Sequence, residues 1–354
     1  MTPESATPLL EWYDRHARAM PWRMPPDASK RGRRSNPYHV WLSEVMLQQT
    51  QVATVMAYFR KFVESWPTVH HLAEAEVEDV MKAWAGLGYY SRARNLKKCA
   101  EVVAFELGGI FPADADELRK LPGIGDYTSA AISAIAFNRK VAVVDGNVER
   151  VVTRLERIDT PIPAAKPQVR AIVEAMTPAD RPGDFAQAMM DLGATLCSPK
   201  RPSCLLCPLQ EGCKANAAGD QERYPLKLAK PEKPTRKGAA FVAIDQRQRV
   251  YLVKRAETGM LGGMSGVPTT QWSVRADGAT GREHAPFPGK WANVGQISHQ
   301  FTHFSLELEV WMAREIAPST AEGWWVEAAK LRGEALPTVM KKVIAAAIPQ
   351  VFKP

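Results

Sequence analysis

The 354-residue chain has no uninterrupted apolar run approaching the roughly 18 residues that a bilayer-spanning helix needs, so no such helix is expected. Its first residues, MTPESATPLLEWYDRHARAMPWR, lack a basic patch followed by an apolar stretch. No secretory signal is therefore expected, and the chain reads as soluble and intracellular. Cysteine is scarce: five residues, four of them crowded between Cys197 and Cys213, with Cys99 alone. An odd, clustered set argues against a disulfide framework and for thiolates that share a metal centre. Internal repeats are absent. Acidic residues are outnumbered, 38 against 46 Lys and Arg, for a formal net charge of +8. That surplus favours association with polyanions without demanding it.

What is present fits a packed protein of two parts. Hydrophobic residues make up 45% and charged residues 24%, enough for a core, and the length exceeds one average domain. Up to about Leu228 the chain reads as helical. Between Tyr38 and Phe62 the apolar positions Trp41, Val45, Val52, Met56, Phe59 and Phe62 recur at helical spacing. Similar patterns run over Glu76–Trp84, Arg92–Glu106, Thr128–Phe137 and Val148–Leu155. Gly86-Leu-Gly88, Gly108-Gly109 and Pro122-Gly123 punctuate them, as in an all-α domain with short connections. Met24–Pro37 carries three prolines and four basic residues and reads as an exposed loop. Its Lys30–Arg34 segment is either a solvated insert or a basic arm for phosphates. Lys227–Lys237, rich in Lys and Pro, marks a linker. Beyond it, AAFVAIDQRQRVYLVKR predicts two strands around a turn at Asp245–Gln248. Phe304–Ala313 and Gly323–Val326 predict further strands and Thr338–Ala347 a short helix, so this part is α+β.

The cysteine spacing is Cys197-x6-Cys204-x2-Cys207-x5-Cys213. Four thiolates within seventeen residues can wrap one compact centre, and zinc and a 4Fe–4S cluster both accept four sulfurs. Zinc modules usually pair their ligands as two close knuckles. Only Cys204 and Cys207 form such a pair here, which leans toward iron and sulfur. The centre ends the helical part beside Lys200, Arg201 and Lys214. That placement suits a fold-stabilising group flanked by phosphate-binding cations better than a redox enzyme.

Three further features carry chemistry. In Leu121-Pro-Gly-Ile-Gly-Asp126, two glycines allow a tight turn with converging N–H groups, and the next helix begins near Tyr127 or Thr128. Such a turn holds a phosphate without a cation, although a plain helix–helix connection also fits. Glu44 and Gln48, in SEVMLQQTQ, share one helix face, with Glu44 either a working acid or a solvated neighbour of the apolar stripe. Asp145 follows the apolar run Val141–Val144 and precedes Gly146-Asn147, where it would cap the next helix or serve as a second carboxylate.

Together these motifs resemble a known family. Pro21-Trp22-Arg23, Trp41-Leu-Ser-Glu44-Val-Met-Leu-Gln-Gln-Thr50, Gly86-Leu-Gly-Tyr-Tyr90, Leu121-Pro-Gly-Ile-Gly125, Val144-Asp-Gly-Asn-Val148 and the cysteine spacing are similar to MutY-type adenine DNA glycosylases of the endonuclease III-like superfamily. The resemblance implies a multidomain, all-α helix-hairpin-helix core with an iron–sulfur module, followed by an α+β Nudix-like domain. The implied division is 1–29 with 141–225 for the cluster domain, 30–140 for a six-helix barrel, 226–236 for the linker and 237–354 for the Nudix-like domain. The implied cofactor is one 4Fe–4S cluster on Cys197, Cys204, Cys207 and Cys213.

The implied reaction is hydrolysis of the N-glycosidic bond of adenine opposite 8-oxoguanine or guanine in duplex DNA, with the base flipped out of the helix. The setting is a bacterial cytoplasm at the nucleoid, with no membrane, and the protein is expected to act as a monomer. Two carboxylates in different states suit such a bond cleavage. By the resemblance, Glu44 protonates adenine N7 and holds its proton near neutral pH because it is buried. Asp145 stays ionised and stabilises the oxocarbenium-like sugar, with Asn147 supporting it. Bifunctional relatives place a lysine where Tyr127 stands. A phenol forms no Schiff base, so base removal without strand cutting is expected, with Tyr127 positioning Asp145 or the pocket. Gln48, Leu87 and Tyr89 match residues that enter the DNA near the orphaned base, and Arg23, Leu121, Gly123 and Gly125 complete the expected DNA-binding set.

In the second part, Gly259–Pro268 resembles the family's glycine-rich loop. Phe301, Thr302 and His303 fall on its 8-oxoguanine-reading positions, with Thr in place of Ser. The long acidic box of Nudix hydrolases is missing, which points to recognition rather than nucleotide hydrolysis. Two alternatives stand beside this reading. One is an enzyme of the same superfamily for T·G mismatches or damaged pyrimidines, against which Gly86–Tyr90 and Phe301–His303 count. The other is a non-catalytic DNA-binding or redox-sensing iron–sulfur protein, against which Glu44 and Asp145 count.

Overall fold

The computed structural model describes residues 6–228, 232–256, 259–317 and 323–352. Residues 1–5 of the expected first domain and 229–231 of the expected linker lie outside them. The chain forms two compact units, one from 1–74 with 95–230 and the other from 75–94 with 231–354. Among the described residues no helix is long and apolar enough to cross a membrane.

The first unit is helical. Its main core gathers Leu9 and Tyr13 of the helix Ala6–His16, Val148, Val151, Val152 and Leu155 of Gly146–Glu156, and Phe185, Met189 and Leu192 of Pro182–Thr195. The four residues from Gly146–Glu156 repeat at i, i+3, i+4 and i+7 and so form one stripe facing inward. The stretch expected as one helix from Tyr38 to Phe62 is two, Pro37–Leu47 and Val52–Ser65. The first starts on an Asn36 cap with Pro37 in its first turn. The apolar period runs on across the break, but Gln49 turns to a φ of 58° and the Gln48 side chain bonds Thr128. Tertiary contacts thus override a weak local preference. The pattern over Arg92–Glu106 is an α-helix, Ser91–Glu101, that widens into a π-turn at Val102–Glu106.

The segment expected as an open loop between Met24 and Pro37 contains a short helix, Pro26–Lys30, and Lys30 pairs with Asp14 at 2.5 Å. Periodicity missed the Pro182–Thr195 helix, because every residue from Pro182 to Gly193 is buried. Its narrow polar stripe, Asp184, Gln187 and Asp191 at i, i+3 and i+7, is buried with the rest.

Among its described residues the second unit holds two three-stranded sheets. Its strands are β1 (Thr235–Ala243), β2 (Arg249–Lys254), β3 (Ser265–Gly266), β4 (Ala292–Gln300), β5 (Ser305–Ala313) and β6 (Gly323–Glu327). One sheet has the order β1-β5-β4, with β1 parallel and β4 antiparallel to β5. The other has the order β3-β2-β6. The expected turn at Asp245–Gln248 is present, and the Asp245 carboxylate accepts from the Arg247 and Arg249 amides. The strands on either side enter different sheets, because β1 finds its full-length partner in β5. The helix Thr338–Ala347 buries Val339, Met340, Val343 and Ile344 in one core with Leu306, Leu308 and Val310 of β5.

Candidate active site

A cleft of about 530 Å³ opens in the helical unit, and Arg23, Glu44, Gln48, Tyr127, Asp145 and Asn147 all line it. A larger hollow, about 1120 Å³, lies in the second unit around Arg255 and Trp272. Among the described residues no carboxylate lines that hollow, whereas the smaller cleft holds Glu44 and Asp145.

Glu44 sits on the helix Pro37–Leu47, where seven other residues, Ser43 and Val45 among them, are also buried, and it is only 5% exposed. Burial pushes its carboxyl up to about 7, the nearby Asp145 charge adds to this, and the Tyr127 hydrogen bond and the Arg23 charge oppose it. The Tyr127 hydroxyl donates to Glu44 Oε2 at 2.8 Å, with the Met190 sulfur 3.5 Å away. Of the two roles expected for Tyr127, positioning Asp145 or the pocket, its contact is with Glu44 in the pocket wall. Burial, with the Glu44 and Asp145 charges, also lifts the Tyr127 phenol well above its usual range.

Arg23 faces inward. Its Nη1 donates to Asp191 Oδ2 at 2.7 Å, and Arg18 Nε donates to Asp191 Oδ1 at 2.6 Å. The Asp191 side chain is fully buried and that of Arg23 is 9% exposed. This pairing makes Arg23 part of the cleft wall.

Asp145 is the cap of the helix Gly146–Glu156. Its Oδ1 accepts from the Asn147 and Val148 amides at 2.9 and 2.8 Å. Its Oδ2 accepts from Asn147 Nδ2 at 2.8 Å. Capping and placement of a cleft carboxylate are thus one arrangement. Asn147 is held in turn by Arg150, whose Nη2 donates to Asn147 Oδ1 at 2.9 Å and to the Gly193 carbonyl at 2.6 Å. Gly193 lets the two helices approach, because a Cβ there would fall 2.6 Å from Asn147 Cβ.

One helix joins this carboxylate to the cysteines. Arg150 Nε donates to the Cys197 carbonyl at 2.8 Å. Arg154, 2% exposed, donates to the Ser198 and Pro199 carbonyls and approaches Cys197 Sγ at 3.3 Å. None of the four clustered cysteines forms a disulfide, and they ring one small hollow, where Gln221 Nε2 lies 3.4 Å from Cys204 Sγ. Burial pushes the Cys207 thiol up to about 11. Among the described residues no three His, Cys, Asp or Glu side chains converge on a single-ion point.

In the hairpin, Leu121 is buried and Gly123 has a φ of +76°, where an added Cβ would also meet Asn95 Cβ at 2.6 Å. Gly125 precedes the helix Asp126–Phe137. Leu87 and Tyr89 belong to the second unit with Phe301, Thr302 and His303. Leu87 is buried. Tyr89 is 47% exposed, and its hydroxyl lies 2.9 Å from Thr302 Oγ1. Phe301 stacks on Phe304 with ring centres 4.9 Å apart, while Thr302 and His303 are exposed. Sequence reasoning missed Asp191, Arg150, Arg154 and Met190. Arg150 and Arg154, four apart on a helix just after Asp145, were the available signal.

Residues 42–178 match the HhH-GPD superfamily base excision DNA repair protein family, and residues 239–346 match a NUDIX domain. The chain is 34% identical over 397 residues to the adenine DNA glycosylase of Homo sapiens, covering 95% of this chain and 72% of the human protein. It is 39% identical over 252 residues to the adenine DNA glycosylase of Mycobacterium tuberculosis, covering 70% of this chain and 77% of the relative. Among solved structures, a thermostable thymine-DNA glycosylase aligns with a TM-score of 0.52 and 26% identity, covering 60% of this chain and 95% of its own. A trapped endonuclease III–DNA covalent intermediate aligns with a TM-score of 0.50 and 23% identity over 62% of this chain and 99% of its own, which shows a shared fold.

Proposed function

The chain belongs to the adenine DNA glycosylases of base excision repair, and we propose that its substrate is adenine opposite 8-oxoguanine or guanine, released without strand cutting. The observation that carries the mechanism is two carboxylates in one cleft with opposite surroundings. Glu44 is buried and pushed up to about 7, so at neutral pH a large fraction of it holds a proton. It gives that proton to N7 of a flipped adenine, which leaves as a neutral base. Positive character then grows at C1′. Asp145, an acceptor already oriented by three N–H groups, faces that charge without reorganising. Deprotonated Glu44 then takes the proton of the attacking water. Tyr127 holds Glu44, and Asn147 with Arg150 holds Asp145.

Strand cutting would need an amine at the sugar. Position 127 is tyrosine, Lys120 is paired with Glu117 at 2.7 Å, and Lys166 at the cleft is paired with Glu149 at 3.2 Å. Phe301, Thr302 and His303, with Tyr89 beside Thr302, read the base opposite the adenine. Gln48, Leu87 and the Leu121–Gly125 hairpin engage the duplex. The functional division stays 1–29 with 141–225, 30–140, the linker 226–236 and 237–354. The enzyme works as a monomer on nucleoid DNA in a bacterial cytoplasm.

Cys197, Cys204, Cys207 and Cys213 would hold a 4Fe–4S cluster. One close pair, Cys204 and Cys207, with longer outer spacings around one hollow supports a cluster over zinc, whose modules usually pair their ligands as two close knuckles. When bound, the group supplies cross-linking of the loop and no proton chemistry. Zinc at stoichiometric amount without iron would overturn this. The test of the whole reading is release of adenine from duplexes carrying it opposite 8-oxoguanine. Release of thymine or a damaged pyrimidine instead would refute it.

A further inference from the structure

The hairpin that would grip a DNA strand carries acids where a grip on phosphate calls for cations. Arg119 donates to Asp116 Oδ1 at 2.5 Å and to Asp126 Oδ1 at 2.9 Å, and Lys120 donates to Glu117 at 2.7 Å. Both cations that lead into the turn are therefore closed onto acids of the same segment. Asp126 is the first residue of the twelve-residue helix Asp126–Phe137, and its side chain is 71% exposed. No side chain caps that helix, so its leading N–H groups are left to an outside acceptor. The Arg119 hydrogen bond and charge hold the Asp126 carboxyl below its ordinary range, so it is an anion at neutral pH.

We propose that Asp126 limits the hairpin's affinity for duplex DNA: its carboxylate stands at the helix end that would receive a strand phosphate and keeps Arg119 from that phosphate. The proposal rests on the hairpin being a DNA grip. An acid in a helix's first turn also favours the helix dipole, but that effect alone does not change how many phosphates the protein neutralises.

The salt dependence of binding separates the two. The full-length protein and its Asp126→Asn, Gly123→Ala and Asp126→Asn/Arg119→Ala variants are titrated with a short undamaged duplex between about 50 and 200 mM salt. Asp126→Asn should bind roughly threefold tighter, the factor expected for removing one charge about 7 Å from a phosphate in water. Its log–log salt slope should steepen by about 0.9, the increment for one more neutralised phosphate. Adding Arg119→Ala should return the slope to the wild-type value. Unchanged affinity and slope in Asp126→Asn, with binding weakened by Gly123→Ala, would overturn the proposal and leave the hairpin as a grip. If neither variant moves, the hairpin is no grip and the proposal falls with it. Melting curves confirm that each variant is folded.

Discussion

Replacing Glu44 by glutamine should abolish excision and also make the protein more stable at alkaline pH. In the unfolded chain a glutamate ionises near 4.5, whereas in the cleft burial pushes this carboxyl up to about 7. Between those values the folded state binds more protons than the unfolded state, so stability falls as pH rises. The gap, at about 1.4 kcal/mol for each pH unit, amounts to about 3 kcal/mol once the pH exceeds 7. Glutamine has no such proton to lose, and its amide oxygen can still accept from Tyr127. Below pH 4.5 the carboxyl is neutral in both states and the advantage vanishes. For a helical unit of this size, about 3 kcal/mol raises Tm by on the order of 6–10 °C. Thermal unfolding of both proteins at pH 5 and pH 8 is the assay. The Tm gain should be several degrees larger at pH 8 than at pH 5. Equal gains at the two values, or a lower Tm for the variant at pH 8, would show that Glu44 is not a buried acid with a raised pKa.

Tyr127→Phe removes a hydrogen bond that favours the charged form of Glu44, so the alkaline limb of single-turnover excision should move up by about one pH unit. A limb that stays or moves down rejects that role. Gly193→Ala drives a methyl into Asn147, which should slow excision at least about tenfold and cost about 1–3 kcal/mol of stability. An unchanged single-turnover rate would free Asn147 from any part in placing Asp145. Phe301→Ala with His303→Ala should narrow the preference for 8-oxoguanine over guanine opposite adenine, and an unaltered ratio of excision rates would remove both residues from base reading.

Much of this was visible in the residues, because the signals were short-range. The three spacings of the clustered cysteines, the glycine pair of the hairpin and the apolar stripe after Asp145 each report on a few neighbouring positions. The helix Thr338–Ala347 lies where its pattern put it, with the stripe that covers β5. What escaped was set by distant partners. The end of the Glu44 helix at Leu47 depends on Gln48 reaching Thr128, eighty residues away. The Pro182–Thr195 helix is buried from Pro182 to Gly193 and carries Asp191, whose clasp on Arg18 and Arg23 has no local signature. Strand β4 breaks its alternation at a bulge near Gly295 and so gave no period to read. Tyr127 was placed in the cleft by its motif, but only its 2.8 Å contact shows which carboxyl it serves.

Asp145 has a consequence for how this enzyme can fail. Its folding task is that of a helix cap, and asparagine performs that task about as well as aspartate. The task proposed for it in catalysis needs the negative charge, which asparagine lacks. A cell clears unfolded proteins, so most damaging substitutions reduce the amount of enzyme present. A change from Asp145 to Asn would escape that surveillance. It would leave an abundant, well-folded protein that still occupies lesions and screens them from competent copies. On the proposed mechanism such a protein would be present and folded yet unable to excise, a failure that measuring its amount would not reveal.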